Sequence, residues 1–165
     1  MRIRFKKAPH PDRKHSLTCV RDDGSSTGMA SSEFFVRHDL GHYAIEAALS
    51  SKQAFWGLIA SGWDIDSFEE REPGTRKSRT LPPEAVEVEV LAGLLDFDRA
   101  SGRMAPADLR NTLKEMSESM NCRPPDIGIE VLLSIQNMQK ELIRRWEDLA
   151  PGDTLELKFP PQTNG

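Results

Sequence analysis

The chain has 165 residues, of which 38% are hydrophobic and 29% are charged. This composition predicts one folded domain, 1–165, and excludes a chain that is disordered throughout. The formal net charge of −4 and the pI of about 5.6 argue against nucleic-acid partners, because neutralising phosphates requires clustered Lys and Arg. No stretch has the ~20 apolar residues of a membrane span, and the charged N-terminus lacks the apolar core of a signal peptide. A cytoplasmic protein without membrane partners is expected.

Alternation of apolar and polar residues predicts strands at both ends of the chain. The strands are expected at 1–6, 16–20, 27–30 and 154–159. Asp22-Asp23-Gly24 follows the second of them and supplies the residues of a hairpin turn. The last strand has a Leu-Leu-Phe face to bury, so we expect it to join the strands and hairpin of 1–30 in one small sheet.

Helical periodicity predicts helices in the middle of the chain. They are expected at 34–61, 82–100, 106–120 and 126–149. The first contains Ser50-Ser51 and Gly57 as potential break points, and Gly41 on its buried side predicts the close approach of another backbone. The expected fold class is α+β: a small, mostly antiparallel sheet, made of the N-terminal strands and the C-terminal strand, packed against about four helices.

Residues 37–46 concentrate groups that bind metals or transfer protons. At ~100° per residue on a helix, His38, His42, Glu46 and Asp39 fall within an arc of about 100° at the edge of the apolar face. Two imidazoles one turn apart can hold one ion, and a carboxylate completes the smallest ligand set that leaves an open position. The motif predicts a divalent metal cofactor, with zinc among the suitable ions. His38, His42 and Glu46 are the expected ligands, and Asp39 is the expected catalytic residue.

Binding of one ion by three ligands spaced four residues apart on one helix is geometrically strained, because His38 and Glu46 lie about 12 Å apart along the helix axis. Another segment can therefore supply a ligand in place of one of them. The candidates are Glu84, Glu87, Glu89, His10 and His15. Asp64 and Asp66 lie roughly 39 Å from His38 if the helix is straight, so they join the site only if the helix breaks.

The His38-Asp39-x-x-His42 core is similar to the His-Glu-x-x-His signature of zinc hydrolases, in which the Glu is the general base. Asp39 stands at that place and is one methylene shorter. The core also resembles the zinc-ligand motif of a coenzyme Q biosynthesis family, whose Glu would fall at Ala54. A longer resemblance, from His38 to about Asp66, is to small bacterial proteins with His-Asp-Leu-x-His-Tyr-Ala-x-Glu followed by Gly-Trp-Asp. That family has no established activity, so the resemblance supports the motif as a unit and implies no function.

The sequence is compatible with two functions. In one, the chain is a metal-dependent enzyme such as a hydrolase, acting on a small molecule that the sequence does not identify. In the other, His38 and His42 are structural and the chain is a non-catalytic interaction protein. Its homo-oligomer would form through helix 126–149. The seam of that helix consists of Val131, Ile135, Met138 and Leu142.

Two further features lie outside the motif. Residues 67–80 are charged and contain Pro73-Gly74, which predicts a surface loop that could act as a lid. Cys19 and Cys122 have no partners at metal-ligand spacing, which favours two free thiols.

Overall fold

The computed structural model describes residues 1–68 and 80–160. Within them lie the strands β1 (Arg2–Lys6), β2 (His15–Val20), β3 (Ser26–Ser31) and β4 (Thr154–Lys158). The helices are α1 (Glu33–Leu49), α2 (Phe55–Ala60), α3 (Pro83–Ser101), α4 (Pro106–Ser119) and α5 (Ile129–Glu147), with a 3-10 turn at Ile65–Ser67. None of these helices is long and apolar enough to cross a membrane. The α+β prediction is confirmed, whereas most of the predicted loop, residues 69–79, lies outside the described residues.

The strands form one antiparallel sheet in the order β3-β2-β1-β4. Ile3 of β1 lies opposite Cys19 of β2 on one side and Leu157 of β4 on the other. Alternate residues are buried, as expected when successive side chains point to opposite faces. The buried face consists of Ile3, Phe5, Leu17, Cys19, Leu155 and Leu157. The described helices pack on this buried face. Cys19 and Cys122 are both free thiols, as the sequence indicates.

Helix α1 packs against both α3 and α5 and so lies at the centre of the helical layer. Its Leu40, Ala44 and Ile45 are fully buried. At Gly41, a Cβ would lie 3.0 Å from Nε2 of Gln139 on α5. The close approach predicted there is therefore made by a side chain, not by another backbone.

Much of the predicted seam of α5 lies inside the protein's own core. Ile135 and Leu142 are buried, and Met138 packs against the core. Val131 is 36% exposed. The regular apolar spacing of this helix is thus accounted for largely by packing within the chain.

The helix predicted over 34–61 is divided into α1 and α2. Ser50 adopts a left-handed conformation with φ of 54° and ends α1, so the break lies at one of the two expected points. Gly57, the other expected point, lies inside α2. A Cβ there would overlap the backbone of Lys52. Glycine is therefore needed for the short connection between the helices to lie against α2.

Gly57→Ala is expected to lower the free energy of unfolding by about 1–3 kcal/mol, because the backbone at Lys52 has to move. Gly93→Ala in α3 is the matched control. A Cβ at Gly93 meets only Met116 Cε at 3.8 Å, an ordinary contact, so this change should be neutral or stabilise by up to ~1 kcal/mol. Urea denaturation measures both variants. Equal effects would contradict the tight contact at Gly57.

Candidate metal centre

His38 and His42 lie one turn apart on α1, and their rings face the same point. Their Nε2 atoms are 3.2 Å apart. Glu89 on α3 meets them there, with Oε2 3.0 Å from His42 Nε2 and Oε1 3.6 Å from His38 Nε2. Because α1 packs against α3, three side chains from two helices present their donor atoms to one small volume.

The separations between these donor atoms fit the ligands of a single ion. At bond lengths of ~2.0–2.2 Å, two ligands at the tetrahedral angle lie about 3.3–3.6 Å apart. The two Nε2 atoms are 3.2 Å apart, and the nearest oxygens of the Glu89 carboxylate, Oε2 to His42 and Oε1 to His38, lie at 3.0 and 3.6 Å, all close to that range. Among the described residues, this is the one set of three metal-binding side chains whose donor atoms all lie within 4.8 Å of one another.

Carboxylates support both histidine rings from behind. His38 Nδ1 donates a hydrogen bond of 2.8 Å to Asp96 Oδ2, and His42 Nδ1 lies 3.6 Å from Glu46 Oε1. Since an ionised carboxylate only accepts, Nδ1 of His38 carries the proton and its Nε2 lone pair is directed towards the donor cluster. A hydrogen bond such as the one to Asp96 fixes the orientation of metal-binding histidines in proteins, whereas Glu46 lies beyond hydrogen-bond distance of His42 Nδ1.

Glu46 lies behind His42, away from the three donor atoms. Its side chain is fully buried and accepts hydrogen bonds from the backbone N–H groups of Trp56, at 2.9 and 3.1 Å, and Gly57, at 3.1 Å. These are the second and third residues of α2, and the cap residue Ala54 has no side-chain oxygen to bind them. Glu46 thus caps α2, and Glu89 takes the place in the donor cluster that the sequence assigns to Glu46.

Asp39, the expected catalytic residue, lies beside the donor cluster and is 8% exposed. Burial raises the pKa of Asp39 to about 7, and the negative charges of Glu89 and Asp96 add to this effect against the opposing histidines. The described part of the chain offers its carboxylate no hydrogen-bond donor. Asp39 is therefore a carboxylate that can exchange a proton near neutral pH.

His42 is 4% exposed. Burial acts to lower the pKa of His42, but the carboxylates of Glu46 and Glu89 outweigh it and raise that pKa to about 10. The hydrogen bond from His42 in turn lowers the pKa of Glu89. Without a metal ion the ring is a cation between two anions, so an ion that binds Nε2 has to displace a proton.

The donor cluster opens into a cleft of about 420 Å³. His38, His42, Glu89 and Asp39 form its polar wall. The rest of its lining is apolar and consists of Met29, Phe35, Phe55, Ile65, Phe68, Leu81 and Ala85. An apolar cleft with a few convergent polar groups is typical of a small-molecule site.

The other candidate ligands lie outside the cluster. Glu84 accepts a hydrogen bond of 3.0 Å from the backbone N–H of Lys52, and Asp64 forms an ion pair with Arg21 at 3.1 Å. The donor group also leaves out the other four candidate ligands from the sequence: His10, His15, Glu87 and Asp66. The helix break therefore does not bring Asp64 or Asp66 into the cluster.

Asp96 is a residue of the site that the sequence does not predict. It follows Glu89 by seven residues, which is two helical turns and places both carboxylates on one side of α3. That spacing is the sequence signal that could have identified it. Its pKa is held below the usual range despite partial burial, because His38 donates to it and Arg99 lies 3.2 Å away.

Comparisons of the chain with protein-family models, with curated proteins and with solved structures give no match. The resemblance of residues 38–66 to small bacterial proteins stays a prediction, which these comparisons do not test. The chemistry of the site is therefore deduced from the residues of this chain alone.

Glu46→Ala should lower the free energy of unfolding by about 1–3 kcal/mol or more, because it leaves buried N–H groups of α2 without an acceptor. Most of this loss should persist in the presence of a chelator, since Glu46 acts as a cap. Urea denaturation in EDTA and in excess Zn²⁺ measures both values. A loss of stability confined to the metal-loaded protein would indicate that Glu46 is a metal ligand.

Proposed function

We propose that the chain is a metal-dependent hydrolase in which His38, His42 and Glu89 bind a divalent ion and Asp39 is the general base. The observation that carries this proposal is the convergence of three donor atoms at ligand spacing beside an apolar cleft. Two imidazoles and one carboxylate suit Zn²⁺, and Fe²⁺, Mn²⁺ and Ni²⁺ accept the same donors.

The bound ion would keep an open position and lower the pKa of a water molecule there towards ~7. Asp39 lies in the same wall of the cleft and would accept the proton of the attacking water. It would then return that proton to the leaving group. Asp96 would keep the ring of His38 in place through its hydrogen bond, and Glu46 would supply negative charge behind His42, neither of them contacting the substrate.

A structural role for the histidines is the alternative, and one contact favours it. The cationic ring of His42 lies 3.0 Å from the Glu89 carboxylate, which joins α1 to α3 without any metal. The proposed homo-oligomer has less support, because Ile135 and Leu142 are already buried within the chain. A measurement of metal binding distinguishes the catalytic proposal from the structural one.

Wild-type protein loaded with Zn²⁺ and then desalted is expected to retain about one ion per chain. His42→Ala and Glu89→Gln should lose it, and Asp96→Asn should weaken binding by about 10–100-fold. Glu87→Gln is the matched control, because Glu87 is a neighbouring acid on α3 outside the donor cluster. Elemental analysis and calorimetric titration measure stoichiometry and affinity. No retention of Zn²⁺, Fe²⁺ or Mn²⁺ by the wild type would refute the metal site.

Asp39→Asn is expected to reduce kcat by about 10²–10⁴-fold, the usual contribution of a general base. Its metal content should stay at the wild-type value, since Asp39 is outside the donor cluster. Hydrolysis of p-nitrophenyl butyrate by the Zn²⁺-loaded protein is the assay. An unchanged kcat would rule out Asp39 as the base, and loss of the ion would show that Asp39 is a ligand.

A further inference from the structure

The charges of the cleft restrict what can bind there. Two carboxylates, Asp39 and Glu89, face it, and among the described residues that line it none is Lys or Arg. A phosphate monoester or diester carries at least one negative charge and is usually bound by Arg, Lys or clustered backbone N–H groups. With the proposed ion bound, that ion is the one cation in the described lining, and it already faces these two carboxylates. The described lining therefore disfavours phosphorylated and other polyanionic ligands and favours neutral ones.

The remaining walls of the cleft favour a ligand that has an apolar body. Phe55 packs against Phe68 with ring centroids 4.9 Å apart, and both line the cleft. At the surface, Phe35 is 53% exposed and Leu81 is 39% exposed. Water-exposed aromatic and aliphatic side chains beside a cleft provide apolar area for a ligand to cover.

We infer that the cleft binds a neutral carboxylic ester or amide with an apolar acyl or aryl body. The carbonyl group would lie at the His38, His42 and Glu89 end, where the polar groups are, and the body would lie against Phe35, Phe55 and Phe68. This inference rests on the proposed function, because it names the substrate class of that site.

The reaction balances without an oxidant or a reductant. Water adds to the carbonyl carbon, and the bond from that carbon to the leaving oxygen or nitrogen breaks. Asp39 takes a proton from the water and passes it to the leaving group. The products are a carboxylic acid and an alcohol or amine.

Binding can be tested without metal. The neutral fluorescent probe N-phenyl-1-naphthylamine, added to EDTA-treated protein, is expected to bind wild type and to bind Phe35→Ser about fivefold more weakly, from lost apolar contact. Phe97→Ser is the matched control, because Phe97 is 54% exposed but lies outside the cleft. It should bind like wild type. No binding by wild type, or equal binding by all three proteins, would overturn the inference.

Turnover tests the substrate class. With Zn²⁺-loaded protein, kcat/KM for p-nitrophenyl esters should rise from acetate to hexanoate by up to roughly fourfold per methylene, and p-nitrophenyl phosphate should be a poorer substrate than any of them. Metal-dependent turnover that is independent of chain length, or fastest with the phosphate, would overturn the inference and leave the hydrolase proposal standing. Probe binding that depends on Phe35, without metal-dependent turnover of any ester, would support the apolar cleft and count against the hydrolase proposal alone.

Discussion

The buried carboxylate of Glu46 joins α1, which carries both histidines of the donor cluster, to α2, which lines the cleft. Burying a charge is costly unless hydrogen bonds and opposite charges satisfy it. Here the backbone N–H groups of Trp56 and Gly57 donate to it, and the ring of His42 lies beside it. One side chain therefore ties the start of α2 to α1, next to Phe55 of the cleft, and places a carboxylate beside the ring of His42.

The same arrangement of carboxylates makes the cluster a cation site. Glu46 and Asp96 lie behind the two rings, and Glu89 lies in front of them. Two neutral imidazoles among these carboxylates leave an excess of negative charge that attracts a cation. In the metal-free protein that cation is a proton on His42, and in the proposed enzyme it is a metal ion bound at the same nitrogen.

The sequence predicts the fold better than the site, for a physical reason. Alternation and helical period show which side of an element is buried, and they suffice for the sheet and for the amphipathic helices. They also place His38 and His42 on one side of α1. They do not show what lies opposite that side. Glu46 meets the N-terminus of α2 because the chain turns at Ser50, and Glu89 reaches the histidines because α1 packs on α3.

The exposure of the donors differs sharply across the cluster, and in the proposed enzyme this would give metal loading a direction. The side chain of His42 is 5% exposed, whereas that of Glu89 is 57% exposed. An ion from solution would meet the carboxylate first and exchange its water for the imidazoles afterwards. The rates of capture and release would then depend on rotation of the Glu89 side chain, while the two histidines, on the packed helix α1, would keep the same geometry throughout. The rate of ion exchange would thus depend on α3, and the geometry of the site on α1.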